Sequence, residues 1–306
     1  MKPSQFWQSI RLSEELGISG RFIYNGLRSL HEMETLYQVD EIFEMLYNLS
    51  VGLERLMKIA VVLIEHDDTV DQEQFEKDLI THNHLDLMSR IRKVHPLKLG
   101  TSHNELLGLL GKFYKSYRYG RYSMAAMQAN GKEKTELHAY IEKYLDIEVR
   151  DNFPIDISPN SERIRKFVGT KILKIARNVY EVIGMEAAKK NIYTYEVRQG
   201  SKAAKVFLDN EWSFAGEDHL CKELVLFLVK SKVRTGHLGL LHSLEPLDFD
   251  PALICDYLQC LTSDEKKLEV LSEMESLQAD LPDIHDRRQL LDVIGNSSVF
   301  FDDEEE

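Results

Sequence analysis

The apolar residues of this chain recur every three or four positions along most of its length, which is the period of an α-helix. Residues 36–64 keep this period for about eight turns and predict one or two long core helices. Residues 5–31 follow the same pattern, with a break predicted between Gly17 and Gly20. Because strand and helix patterns do not alternate along the chain, we predict a mainly all-α fold.

Capping residues predict where several shorter helices begin. Asp71 is expected to cap one helix, and Asn83 or His84 to start the next. Ser102 and Glu105 have the spacing of a capping box, in which the two side chains bond to each other's backbone N–H groups. The sequence therefore predicts a series of short helices after the long central one.

A segment without helical period, residues 152–161, contains two prolines and predicts a domain boundary. The chain is thereby divided into three parts. We predict a helical bundle at residues 1–150, a second helical domain at residues 151–295 and an acidic tail at residues 296–306.

The predicted second domain begins with a strongly amphipathic helix that Ser161 is expected to cap. Alternating residues and a glycine turn within residues 192–208 predict a small β-hairpin. Helical patterns then return in four segments, residues 217–232, 251–261, 263–278 and 283–294.

Charge is distributed unevenly along the chain, whose formal net charge is -13. Residues 163–205 hold eleven Lys and Arg against three Glu, whereas residues 245–306 hold eighteen acids against four basic residues. A basic block of this kind is typical of a surface for phosphates or an acidic partner. The alternative is that the acidic part of the chain packs near the block and neutralises it. The candidate phosphate contacts in the block are Arg163, Lys166, Lys174 and Arg177.

Three cysteines, Cys221, Cys255 and Cys260, lie in apolar helical patterns and are expected to be buried thiols. Their odd number and spacing argue against a disulfide framework and a structural zinc site. The longest apolar run, residues 59–64, is far shorter than the roughly 20 residues that a membrane span needs. With no secretory signal pattern at the start of the chain, we expect a cytoplasmic protein that does not enter membranes.

The common catalytic and cofactor motifs are missing from the sequence, among them the P-loop, the dinucleotide-binding glycine pattern and the H-E-x-x-H zinc helix. We therefore predict no cofactor. His82 and His84 are two positions apart, so on a helix they would point in different directions. Capping and surface roles are favoured for them over a metal site.

Aromatic and basic residues are interleaved in residues 113–124, FYKSYRYGRYSM. Aromatic faces beside fixed positive charges can stack on bases and hold phosphates, which makes RNA or a nucleotide a candidate ligand. The alternative is a packed helix end whose polar side-chain tips reach solvent. The candidate binding residues are Tyr117, Arg118, Arg121 and Tyr122.

The order of elements over residues 32–128 resembles the HEPN family of helical domains. Three segments carry the resemblance: E-R-L-M-K at residues 54–58, THNHLDLM at residues 81–88 and the helix that ends Y-K-S-Y-R-Y-G at residue 120. The resemblance implies a bundle of four or five helices, usually dimeric, of a kind found in toxins, RNA-targeting nucleases and anti-phage systems.

Active HEPN proteins cut RNA without metal, using an Arg and a His five residues later. The resemblance places Arg118 at the position of this Arg, but Ser123 stands five residues later and cannot act as a base near neutral pH. The one literal R-x4-H pair in the sequence is Arg90 and His95, at the end of the preceding helix. These two residues are the candidate catalytic pair, with His95 as general acid or base and Arg90 as the group that stabilises phosphate charge.

Two functions remain open from the sequence. The first is a HEPN-like homodimer that binds RNA or a nucleotide and acts as a metal-independent ribonuclease or as a binder derived from one. The second is a non-catalytic helical subunit or regulator whose basic face docks a partner protein and whose acidic tail restrains that face.

Overall fold

The computed structural model describes residues 3–120, 122, 131–209, 211–279, 281 and 284–301. It confirms the prediction of a mainly all-α fold, with one two-stranded sheet among the described residues. The chain divides into two compact units, Met1–Phe214 and Ala215–Glu306.

The first unit is a helical bundle with a small hairpin. Its helices are α1 (Pro3–Glu32), α2 (Val39–Glu65), α3 (Gln72–Leu79), α4 (His84–Val94), α5 (Thr101–Lys112), α6 (Arg118–Gly120), α7 (Lys132–Leu145), α8 (Glu162–Lys189) and α9 (Lys202–Phe207). A π-helical turn, Phe113–Tyr117, joins α5 to α6, and the strands are β1 (Asp151–Asn152) and β2 (Asp156–Ile157).

Helix α2 lies at the centre of the first unit, where it packs against α1, α4 and α8. Its apolar period is the one recognised over residues 36–64, and it is buried on most sides because neighbouring helices surround it. This helix and its neighbours form a continuous core that includes Leu16, Ile23, Met45 and Phe113.

The predicted break at Gly17 to Gly20 is wrong, because α1 is continuous through both residues. A Cβ at Gly20 would lie 2.5 Å from the Cβ of Ala203, and one at Gly52 would lie 2.6 Å from Cγ1 of Ile23. These glycines allow helices to approach closely rather than ending them.

The boundary between the units differs from the predicted one. Helix α8 packs against α2, and α9 packs against α1, so residues 151–214 share the core of the first unit. The predicted β-hairpin at residues 192–208 is also wrong, because Lys202–Phe207 is helical and Ser201 caps it through the N–H of Ala204. A hairpin forms instead at residues 151–157, which overlap the proline-containing segment predicted as the domain boundary.

Two predicted caps are confirmed: Asp71 accepts from the N–H of Gln74, and Asn83 from that of Asp86. The predicted capping box of Ser102 is wrong, because α5 begins at Thr101 and its N-cap is Gly100, two residues before Ser102. The Glu105 carboxylate bonds instead to Nζ of Lys143 on α7, so it joins two helices.

The second unit contains α10 (Ala215–Lys230), α11 (Gly236–Ser243), α12 (Ile254–Gln259), α13 (Asp264–Ala279) and α14 (Ile284–Val293). Its cysteines are not buried as predicted, since Cys255 is exposed and the other two are half-buried. The acidic end of the predicted tail, residues 302–306, lies outside the described residues. Among the helices that are described, none is long and apolar enough to cross a bilayer.

Candidate functional site

The aromatic and basic stretch begins in a π-helical turn, Phe113–Tyr117, between α5 and α6. Phe113 is fully buried and packs edge-on against Phe43 of α2, which anchors the turn to the core. A π-helical turn holds one residue more than an α-helical turn, so the residues after it are rotated about the helix axis. Such turns are frequent at functional sites, and this one sets the directions of Tyr114 and Arg118.

Arg118 lies between two aromatic rings. Its Cζ atom is 3.8 Å from the ring centroid of Tyr114 and 4.4 Å from that of Tyr119. Each such contact contributes about 0.5–1 kcal/mol at a partly exposed site. Nε of Arg118 is buried and has no hydrogen-bond partner among the described residues. The guanidinium is thus held by ring contacts, and its side chain makes no ion pair within the described part of the chain.

Two further tyrosines extend this aromatic surface into solvent. Tyr119 and Tyr122 are both exposed, Tyr122 almost completely. Arg121 lies outside the described residues. The predicted stacking residues Arg118 and Tyr122 therefore lie at an accessible end of the helix, together with Tyr119.

Tyr117, by contrast, is directed toward α7. Its hydroxyl donates a hydrogen bond of 2.5 Å to Oε1 of Glu136, and Nζ of Lys112 lies 3.4 Å from the same oxygen. Burial and the Glu136 carboxylate raise the pKa of Tyr117 to about 12. This predicted binding residue has a structural contact that holds α7 to the π-helical turn.

A carboxylate and histidine pair lies beside Tyr114. Nδ1 of His82 is 3.0 Å from Oε2 of Glu54, and the His82 ring meets the Tyr114 ring edge-on at 5.0 Å between centroids. The Glu54 side chain is only 8% exposed, whereas that of His82 is 43% exposed. With Nδ1 donating to the carboxylate, Nε2 of His82 is left as the basic nitrogen.

Glu54 also accepts from Nζ of Lys58, one helical turn later on α2, at 2.7 Å. The buried carboxylate is therefore paired with a cation and hydrogen-bonded, as a buried charge must be if it is not to destabilise the fold. A second ion pair, Arg55 with Glu15, lies on the same side of α2 and joins it to α1.

These groups surround a cavity of about 370 Å³. Its polar walls come from both ion pairs and His82, and its aromatic walls from Trp7 and Tyr114. Cavities of roughly this size, apolar with a few convergent polar groups, are typical of small-molecule sites. The cavity shares Tyr114 with the Arg118 stack, so the two features are adjacent.

The predicted catalytic pair has other partners. Arg90 donates from Nε to Oε1 of Glu65 at 3.0 Å and from Nη1 to the carbonyl of Asp78. Nε2 of His95 is 2.6 Å from Oε1 of Glu186 on α8. The Arg90 contacts are with α2 and α3, whereas the His95 contact is with α8, so these two residues hold different helices to the end of α4.

The predicted phosphate contacts on α8 divide into two groups. Lys166 and Lys174 are exposed, whereas Nη2 of Arg163 donates to the carbonyl of Leu145 at 2.7 Å and Arg177 is half-buried with an interaction of its own. Within the same basic block, Lys190 bonds to the carbonyl of His66. Part of the basic block therefore makes contacts that stabilise the fold.

His84 is the first residue of α4, one of the two predicted starts of this helix, but it has neither the capping nor the surface role favoured for it. It is fully buried, and its Nε2 lies 2.9 Å from the carbonyl oxygen of Ser50 on α2. Burial lowers the pKa of His84 below its ordinary value. Among the described residues, no group of three or more His, Cys, Asp and Glu is arranged to hold a metal ion.

Glu54, Lys58 and His82 are not predicted as a site from the sequence alone. The available signal was Glu54 itself, an acid in the middle of an apolar core helix, which is rare without a partner. Its partner His82 lies 28 positions later, and only the fold brings the two side chains together.

Comparison with protein-family models, curated proteins and solved structures finds no match for this chain.

Proposed function

We propose that this protein binds RNA or a nucleotide at the site formed by Arg118, Tyr119 and the cavity beside His82. The observation that carries the proposal is the guanidinium of Arg118, held between two aromatic rings next to that cavity. A cation that makes no ion pair with the described residues, with the exposed ring of Tyr119 beside it, suits a phosphate with a flanking base.

Stacking contacts of this kind can contribute to the binding energy without requiring a particular base. Stacking of a base on an exposed aromatic side chain contributes about 1–3 kcal/mol, and Tyr119 and Tyr122 are accessible for it. Lys115 is exposed in the same stretch and adds positive charge. The resemblance to HEPN domains supports the same ligand class, and it is the basis for proposing a toxin or anti-phage setting and a homodimer.

Binding is tested by fluorescence anisotropy with labelled single-stranded RNA and, separately, a labelled nucleoside triphosphate. We expect Arg118→Ala to weaken binding at least tenfold and to reduce the slope of log affinity against log salt by about 0.7, the value for one phosphate contact on a single strand. Arg150→Ala is the matched control, since Arg150 is exposed and pairs with Asp156 outside the site. Equal affinities of the wild type and Arg118→Ala for RNA and for the nucleotide would contradict the proposal.

A second candidate function, metal-independent cleavage of RNA, is favoured by the pairing of His82 with Glu54. The Glu54 carboxylate orients the imidazole of His82, so Nε2 can accept a proton from a ribose 2'-hydroxyl. The 2'-oxygen then bonds to phosphorus and the bond to the 5'-oxygen breaks. The 5'-oxygen takes a proton from water, and His82 returns its proton to the hydroxide that is left.

Cleavage is tested by incubating labelled RNA with the protein in EDTA. We expect His82→Asn to abolish product formation and Glu54→Gln to reduce it at least tenfold while both variants still bind RNA. The pair Arg90→Ala and His95→Ala provides the comparison, because these residues have structural contacts in the fold. Loss of cleavage in the latter pair alone, with unchanged melting temperature, would assign catalysis to the R-x4-H motif instead.

A further inference from the structure

Helix α10, Ala215–Lys230, has no buried residue along its 16 positions. Its sequence is nevertheless among the most apolar of the chain, with the run L-V-L-F-L-V at residues 224–229. A helix that is apolar on all faces is normally buried against other segments. Forming the helix does not by itself remove these side chains from water.

One face of α10 forms a continuous apolar stripe. Leu220, Leu224 and Phe227 are spaced four and three positions apart, so they lie on one face of the helix. Their exposed fractions are 67%, 62% and 57%. Leu228 flanks the stripe and is 44% exposed. Contiguous exposed apolar surface of this kind marks an interaction site.

Charges on one flank of the stripe are arranged for self-recognition. Glu223 and Lys230 are seven positions apart, two turns, and both are exposed beside the stripe. Neither side chain has an ion pair among the described residues. In an antiparallel pair of identical helices the same flanks face each other, so Glu223 of each copy comes opposite Lys230 of the other.

We propose that α10 is a homodimer interface, in which two copies pack antiparallel about a two-fold axis close to Phe227. The two-fold symmetry forms the pair between Glu223 and Lys230 twice, which fixes the direction and register of the helices. A partner chain of another sequence would need to match this pattern of charges, whereas a second copy supplies it automatically.

The area of the stripe determines the dimer affinity that we expect. Four large apolar side chains and the stems of the flanking residues cover roughly 500–600 Å² on each copy, which is at the low end for specific interfaces. We therefore expect a dimer with a dissociation constant on the order of micromolar. This proposal does not rest on the proposed RNA binding, since the residues of the interface belong only to the second unit.

Sedimentation equilibrium of the full chain at several concentrations tests the proposal. We expect a monomer and dimer equilibrium that Leu224→Glu shifts at least tenfold toward monomer. Leu268→Glu on α13 is the matched control, because Leu268 is also exposed, at 69%, and lies outside the stripe. A wild-type chain that stays monomeric at 100-fold above about 1 µM would overturn the proposal, as would a dimer that Leu224→Glu leaves unchanged.

Charge reversal tests the antiparallel register. Glu223→Lys and Lys230→Glu should each weaken the dimer several-fold, because each places like charges opposite one another. The double variant restores both pairs with reversed sign and should recover wild-type affinity. A double variant as weak as the single ones would contradict the antiparallel pairing.

Discussion

The two units of the chain differ in how far they bury their apolar residues. Met1–Phe214 buries a continuous set of large side chains, including Leu16, Ile23 and Leu56. In Ala215–Glu306, Val270 is the one hydrophobic residue that is buried among those described, while many leucines are exposed. Similar helical patterns in the sequence therefore lead to a packed bundle in one unit and to open helices in the other.

Charge follows the same division. Ala215–Glu306 contains twenty-one Asp and Glu against eight Lys and Arg, a net charge of -13, which equals that of the whole chain, so Met1–Phe214 is neutral in sum. A high net charge favours solubility, but the like charges repel one another and destabilise the compact state. The first unit thus combines a large buried core with no net charge, whereas the second combines little buried apolar surface among its described residues with a strongly negative charge.

The largest effect that tests this contrast is expected from a comparison of two leucines. Leu56→Ala removes a fully buried side chain from α2 and should lower the free energy of unfolding by about 2–5 kcal/mol, from lost transfer energy and the cavity left behind. Leu268→Ala, at an exposed position of α13, should change it by less than about 0.5 kcal/mol.

Urea unfolding followed by circular dichroism measures both changes. Equal losses for the two variants would mean that the second unit has a core as tightly packed as the first, and the contrast between the units would be lost.

A smaller effect is expected from glycines within the first unit. A Cβ at Gly52 would lie 2.6 Å from Cγ1 and 2.9 Å from N of Ile23, so Gly52→Ala should cost about 1–3 kcal/mol by overpacking. Gly17 lies in the same bundle with open space around it, and Gly17→Ala should stabilise α1 by about 0.5–1 kcal/mol. Thermal unfolding distinguishes them, and destabilisation by Gly17→Ala would contradict the continuous helix.

The smallest predicted effect is a dependence of stability on pH in the first unit. Burial lowers the pKa of both His84 and His138 in the folded protein, so below about pH 6.5 the unfolded chain binds protons more readily. Stability is then fully present above that pH and falls on acidification, by up to about 1.4 kcal/mol per pH unit for each histidine.

Tryptophan fluorescence reports this unit, since Trp7 and Trp212 both lie in it. Urea midpoints between pH 7.5 and pH 5.5 should decrease, and His84→Gln should make the decrease shallower. A midpoint that rises on acidification would contradict the lowered pKa values.

Local sequence signals predicted several elements correctly. The period of residues 36–64 predicted α2, and Asp71 and Asn83 cap the helices that they were expected to cap. These features depend on interactions within one or two helical turns, which the order of residues determines directly.

Signals that depend on distant neighbours were interpreted less well. Gly20 was assigned to a helix break, but its lack of a Cβ matters for contact with Ala203, which lies far along the chain. Ser102 was assigned a capping role, whereas Glu105 bonds to Lys143 on another helix. In both cases the residue type was informative, but its partner was not visible in the sequence.

The candidate site shows the same limit. The stretch that contains Arg118 was recognised from its composition, because interleaved aromatic and basic residues need no tertiary context to be noticed. Tyr117 bonds to Glu136, whereas Tyr114 lines a cavity. This difference depends on the rotation that the π-helical turn introduces. No spacing in the sequence indicates that extra residue in the turn.

The sequence by itself determined that this protein is helical, where its long central helix lies, and which stretch carries aromatic and cationic groups. Only the tertiary structure decided that Glu54 and His82 meet beside Tyr114, that Arg90 and His95 bond to different helices, and that α10 remains uncovered. The physical reason is range: helix formation and capping act over a few residues, whereas side-chain pairing and burial depend on packing between segments far apart in the chain.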